Sequence, residues 1–350
     1  MFNTFFSQKI ATFEGAKQRT MKWNTPIAIE KQKGYLQHGS PMLVLGSCFA
    51  DNVGEYLQKA KFAIEANPFG TLYNPESIAN ALERLMCGEE YTIEELQKSG
   101  DLWYSYHHHG KFSTPSAETT LRLINDSFTR AVDMLSRCER LIVTFGTAYI
   151  YRLAESGEVV ANCHKQPAQL FVRTRLEADE IVARWDSLLK RLAYLAPQCK
   201  VLFTVSPIRH LSDGAHNNQL SKSTLLLAID KLCKNNSETC SYFPAYEIVL
   251  DELRDYRFYA DDMAHPSQQA IGYICERLCD TYFTDATRDI AERCLKIARS
   301  LQHRPLNGTD NDAYRQFAQR LIAQMQQAEQ LHPCIDYCIE IEELKQQISK

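Results

Sequence analysis

No apolar run in this 350-residue sequence approaches the length of a membrane span, so a membrane-crossing helix is not expected. No long Lys or Arg run occurs either, and a net charge of −4 gives no sign of a nucleic-acid surface. The first twenty residues, MFNTFFSQKIATFEGAKQRT, lack the charged start, continuous apolar core and small-residue cleavage pattern of a secretory signal. They are polar and aperiodic. Residues 1–21 are therefore expected to form a disordered extension, with Met21 a candidate start, and the protein is expected to be cytoplasmic. Twelve cysteines without an export signal are then expected to remain thiols. CxxC is absent, and the four-residue pairs Cys275/Cys279 and Cys334/Cys338 read as neighbours on helix faces rather than metal ligands. Neither a structural metal nor a cofactor is expected.

What is present is the ordinary balance of a globular chain, 45% hydrophobic and 23% charged, long enough for one large core with an appendage. Met42-Leu43-Val44-Leu45 reads as a short buried strand. Gly46 breaks it, two nucleophile candidates, Ser47 and Cys48, follow at once, and Asp51 to Leu57 continues as an amphipathic helix. Such a junction puts a reactive side chain beside the unpaired N–H groups of a helix start, which favour negative charge.

Two further buried strands are read at 141–145 and 201–205, with shorter candidates at 62–64 and 242–246. Helices are expected after Pro75, over 91–98, 117–137, 177–195, 221–234 and 267–283, and a hairpin over 148–163. Strands alternating with helices indicate a parallel sheet covered on both faces, with its site beyond the strands' carboxyl ends. The Asn67 to Pro75 loop, with two Asn-Pro pairs around Gly70, is forced into a shaped turn. Residues 285–302, 311–330 and 335–348 read as Gln-rich helices with heptad-like apolar spacing. These either pack back on the domain or pair with a partner, which includes self-association. The expected organisation is thus an α/β/α domain over 22–285 and a helical region over 286–350.

Asp262 and His265, three apart before a helix, can supply a base and its orienting group from one turn. The spacing is common and gains weight only beside a strand-end nucleophile. His107-His108-His109 invites a metal reading, but in a strand at most two of the three share a face, and no third ligand follows at a recognisable spacing. The neighbouring Trp103, Tyr104 and Tyr106 suit a pocket wall or a covering flap. Lys165, Arg209 and His210, near two strand ends, are candidates for an anionic substrate group, although solvated surface charge is the commoner explanation.

Gly46-Ser47-Cys48-Phe49-Ala50 resembles the signature of the GSCFA family. Asn67-Pro68-Phe69-Gly70, Thr144-Phe145-Gly146-Thr147, Asn162-Cys163-His164-Lys165, Thr204-Val205-Ser206-Pro207 and the Asp262 to Pro266 stretch resemble it too. That family is similar to the SGNH/GDSL hydrolases, which implies a flavodoxin-like three-layer α/β/α sandwich and esterase or acyltransferase chemistry. A small-molecule or carbohydrate ester would be the substrate. Aligned without a gap on the superfamily's Gly-Asp-Ser, Ser47 falls at Asp and Cys48 at the nucleophile; shifted by one, Ser47 attacks and Cys48 packs. The first register leads narrowly, since a helix start and a nearby His both lower a thiol's pKa. The resemblance further implies oxyanion donors from the nucleophile's own N–H, from Gly70 and from a Gly-x-Asn after the third strand. Gly146 supplies that Gly, but Ala148 stands where Asn is expected; Asn162 or His164 could substitute. The missing Asn and the Asp-to-Ser change also leave open a non-catalytic binding module on the same fold.

Overall fold

The computed structural model describes residues 25–302 and 312–348, so the expected extension over 1–21 lies outside the described residues. The strands are β1 (Met42–Gly46), β2 (Ile64–Ala66), β3 (Gln97–Ser99), β4 (Leu102–Tyr104) and β5 (Arg140–Phe145), then β6 (Tyr149–Leu153), β7 (Val159–Val160), β8 (Phe171–Arg175), β9 (Lys200–Val205) and β10 (Cys240–Phe243). Helices longer than two turns are α1 (Cys48–Lys59), α2 (Pro75–Cys87), α3 (Ala117–Ser136), α4 (Ala178–Leu195) and α5 (Ala215–Asn235), then α6 (Gln268–Tyr282), α7 (Asp285–Leu301), α8 (Asp312–Leu331) and α9 (Cys338–Ile348).

Five of the strands form one parallel sheet in the order β2-β1-β5-β9-β10. Counted within the sheet this is the flavodoxin-like order 2-1-3-4-5. Because strand side chains alternate, β1 feeds two cores. Leu43 and Leu45 pack with Val143, Phe203 and the inner faces of α2 to α5. Met42 and Val44 pack with Ile142, Leu202, α1 and α6. The result is the expected three-layer sandwich. Each fully buried Leu or Phe contributes about 1.5–3 kcal/mol relative to exposure, so the two cores hold the sheet rigid beneath its carboxyl edge.

Local signals set the helix starts. Asn74 accepts the Ser77 N–H at 2.8 Å with Pro75 in the first turn of α2, and Ser116 and Ser267 cap α3 and α6. Elsewhere tertiary structure overrode the pattern. The strand expected over 242–246 is Cys240–Phe243 instead, because Pro244 has no N–H to continue the ladder. Helix α5 begins at Ala215, six residues before the expected 221, after Gly214 at φ 77°. The helix expected over 91–98 is one short turn at Ile93–Glu95 followed by β3. The hairpin β6-β7 gains a third, antiparallel strand, β8, which the sequence pattern did not reveal.

The C-terminal helices turn their apolar faces inward. Cys294 and Ile297 of α7 cluster with Tyr314, Leu321 and Met325 of α8, with Tyr337, and with Leu344 of α9. Lys61 ties this cluster to the sandwich, pairing with Glu340 at 2.5 Å and lying over the Tyr337 ring at 4.4 Å. Much of the surface that the heptad-like spacing offered to a partner is thereby used within the chain.

Candidate active site

Gly46 ends β1 at φ 144°, and a Cβ there would collide with the Thr144 carbonyl. The chain turns directly into α1, leaving Ser47 as N-cap and Cys48 as the first helical residue. Ser47 is 2% exposed and its Oγ accepts the Phe49 N–H at 3.3 Å. Cys48 is half-buried, with Sγ 3.7 Å from the Tyr73 hydroxyl. Burial pushes this thiol up from its ordinary pKa, Asp51 adds to that, and the hydrogen bond shared with Tyr73 opposes it. The lowering expected from a helix start and a neighbouring His is therefore reversed: desolvation wins, and the thiol rests protonated.

Beneath the thiol, Asn67 holds the turn. Its Oδ1 accepts the Gly46 N–H at 2.8 Å, and its Nδ2 donates to Asp51 at 2.7 Å. The other oxygen of Asp51 accepts the Thr71 hydroxyl at 2.9 Å. Asp51 thus occupies itself with scaffolding.

Asp262 and His265 meet as their spacing anticipated, with Oδ2 and Nδ1 2.5 Å apart. Asp262 Oδ1 also accepts the backbone N–H groups of His265 and Ala264, each at 2.9 Å. These backbone donors, then the ring, hold the carboxyl down at about 2. Arg209, just after β9, anchors the turn, its N–H donating to the Ala264 carbonyl at 3.0 Å and its Nη1 to Met263 at 3.1 Å. No hydrogen bond joins His265 to Cys48 among the described residues. His210, whose ring meets Tyr73 edge-on at 6.2 Å, has its pKa lowered to about 4 by burial, Lys222 and His265.

The remaining donor candidates are mostly spoken for. Ser47 N–H donates to Thr144 (3.2 Å), Gly70 N–H to Asn67 (2.7 Å) and Gly146 N–H to Tyr73 (2.8 Å), all backbone carbonyls. Ala148 N–H is bonded to Ser221 Oγ at 2.8 Å. His164 is turned away, its Nε2 2.8 Å from the Ser105 carbonyl and its ring against Tyr104 at 4.3 Å. Asn162 lines a cavity of about 330 Å³ with Tyr73, Tyr149, Tyr151, Arg173 and His210. Its Oδ1 accepts the His164 N–H at 2.8 Å, which leaves the amide nitrogen as a donor.

Several residues here had no sequence signal. Lys222 is fully buried, donating from Nζ to the Gly146 (2.6 Å) and Ser206 (2.7 Å) carbonyls, and so ties the ends of β5 and β9 together. Desolvation lowers its pKa to about 7. Arg173, on the unforeseen β8, pairs with Asp213 and lies over the Tyr149 ring at 3.9 Å. Tyr73 stood inside the loop whose Asn-Pro pairs marked it as shaped, but nothing in that pattern aimed its hydroxyl.

The three adjacent histidines make separate contacts. His108 is buried against Phe69 at 5.1 Å, His107 pairs with Glu158 at 2.8 Å, and His109 caps Lys111 N–H at 3.2 Å. Glu329, Asp336 and Cys338 approach one another, but the two carboxylates accept the Tyr337 and Cys338 N–H groups and cap a turn.

A flavodoxin-ordered parallel sheet, with a cysteine at one strand–helix junction and an Asp-x-x-His turn beyond the strand ends, defines an α/β/α sandwich. The chain belongs to the GSCFA family, which matches residues 41–278, and the family's C-terminal domain matches 294–350. Among solved structures it is similar to an acetyl xylan esterase from the rumen bacterium Butyrivibrio proteoclasticus, at 11% identity and a TM-score of 0.32. That match covers 69% of this chain and 63% of the esterase, less than two thirds of its length. No curated protein matches the chain. Among the described residues, no helix is long and apolar enough to cross a membrane.

Proposed function

We propose that this protein is an ester hydrolase or acyltransferase in which Cys48 is the nucleophile, His265 the base and Asp262 the group that orients His265. The observation that carries the reading is the division of labour at the junction: the Ser47 hydroxyl is buried in the helix cap, while Cys48 Sγ stands half-exposed beside Tyr73. His265 Nε2 takes the thiol proton, and sulfur attacks the acyl carbon as the carbonyl electron pair moves to oxygen. Collapse expels the alkoxide, which His265 protonates, and leaves a thioester. Water, or a second alcohol in the transferase version, then releases the acyl group and restores the thiol. Catalytic hydrogen bonds can be absent from a free site and form in the substrate complex, and this reading requires the Cys48–His265 bond to form there. The tyrosine-walled cavity beside Tyr73 suits a hydroxyl-rich alcohol such as a sugar, which stacks on ring faces and bonds to polar tips.

The rival is a binding module without catalysis, favoured by the Gly70 and Gly146 N–H groups being bonded to carbonyls. Turnover of chromogenic short acyl esters, compared among wild type, Cys48→Ala and His265→Ala, separates the two. Loss in both variants supports the enzyme. Equal rates in all three remove these residues from any mechanism.

A further inference from the structure

Every acyl transfer of the kind proposed needs donors aimed at the developing oxyanion. Of the backbone donors that the sequence offered, those of Ser47, Gly70 and Gly146 are bonded to carbonyls, and Ala148 has no side-chain donor. Cys48 N–H, in the first turn of α1, has no partner within the helix. One donor is not enough.

We propose that the Tyr73 hydroxyl is the second oxyanion donor, taking the place of the asparagine missing after β5; this rests on Cys48 being the nucleophile. Three observations place it. Its oxygen lies 3.7 Å from Cys48 Sγ, so an oxyanion on the carbon joined to that sulfur falls within its reach. Its backbone is fixed to the strand end it would serve, because the Tyr73 carbonyl accepts both the Gly146 (2.8 Å) and Thr147 (2.9 Å) N–H groups. That close approach is also why position 146 is glycine, since a Cβ there would sit 2.8 Å from the Tyr73 carbonyl oxygen. Third, Tyr73 lines the same cavity of about 330 Å³ as Asn162 and His210, so the residue that touches the thiol also borders space that a substrate can enter.

The phenol is suited to the task. Burial, with Cys48 and Asp51 nearby, pushes its pKa well above the ordinary tyrosine value, so it keeps its proton throughout the working range. Thr71, the other hydroxyl beside the thiol, is committed to Asp51 at 2.9 Å. In the resting site Tyr73 accepts from the Cys48 thiol. After proton transfer to His265 it turns donor, first to the thiolate and then to the oxyanion, with no net proton exchanged by the phenol itself.

Tyr73→Phe keeps the ring against His210 and removes only the hydroxyl. The kcat for a short acyl ester should fall by about 100-fold or more with KM nearly unchanged, as for loss of one oxyanion donor. In parallel, the pH midpoint for iodoacetamide alkylation of Cys48, read by mass spectrometry, should rise because the thiolate has lost a donor. A variant with wild-type kcat overturns the proposal. If the wild type turns over no ester, the enzymatic reading itself fails, and the alkylation midpoint decides the Tyr73–Cys48 contact alone: an unmoved midpoint overturns it. A folded Tyr73→Phe with low kcat and wild-type melting temperature excludes a merely structural role.

Discussion

The Ser47 hydroxyl accepts the Phe49 N–H at 3.3 Å and caps the very helix on which Cys48 is the first residue. Adjacent in sequence, the two side chains have separate work. Ser47→Ala should cost about 1 kcal/mol of stability, the usual loss for an N-cap, and leave ester turnover within a few-fold of wild type. Cys48→Ala should abolish turnover with little change in urea midpoint. The opposite pattern would move the nucleophile to Ser47.

Asn67 sits at φ 46° with its amide between Gly46 and Asp51. In Asn67→Asp the second side-chain atom becomes a carboxylate oxygen facing the Asp51 carboxylate, and a buried donor is lost. Removing such a bond costs about 1–3 kcal/mol, with like-charge repulsion added. Chemical denaturation at pH 7 should show the loss, and lowering the pH toward 4 should recover part of it as one carboxylate protonates.

The Asp262 carboxyl is held at about 2 by the backbone N–H groups of His265 and Ala264 and by the His265 ring. Its folded pKa is depressed, so its contribution to stability is present above pH 4 and fades as pH falls toward 2. It stays ionised wherever the enzyme would work. Asp262→Asn should therefore lower kcat by about 10²–10⁴-fold across the neutral range, by removing the group that orients His265. Wild-type kcat in that variant would contradict the orienting role.

Lys222 has its pKa lowered to about 7 by full burial, its ammonium facing the Gly146 and Ser206 carbonyls, His210 nearby and the Tyr246 ring at 5.7 Å. Between pH 7 and about 10 the unfolded chain binds this proton and the folded one does not, so here stability rises with pH. Below 7 both states carry it and the dependence vanishes. Other buried thiols and phenols pull the other way at high pH, so the measurement is a difference. The stability of wild type minus that of Lys222→Met, from urea curves, should grow more positive from pH 7 to 10. A flat difference would mean that Lys222 keeps an ordinary pKa.

The sheet was legible because its strands announce themselves: 42–45, 141–145 and 201–205 are apolar runs, interrupted only by Thr144 and Thr204, that a doubly covered parallel sheet hides. Asp262 and His265 were legible as a pair because three residues on one turn need no tertiary help to meet. Strand β8 was not, since FVRTR is mostly exposed and carries no run or alternation that would mark it. Arg173 and the cavity wall went unseen with it.

By itself the sequence determined the layer architecture, the strand–helix junction at Gly46 and the existence of two adjacent nucleophile candidates. Period and backbone chemistry are local properties, readable from neighbours a few positions apart. Tertiary structure decided that the Ser47 hydroxyl is spent in the helix cap while the Cys48 thiol stands half-buried beside Tyr73. It also decided that the Tyr73 hydroxyl, 25 residues downstream, lies against Cys48, and that burial rather than the helix start governs the thiol's proton. Those outcomes come from segments distant in sequence packing onto one edge, where desolvation outweighs the charges that a linear reading can count.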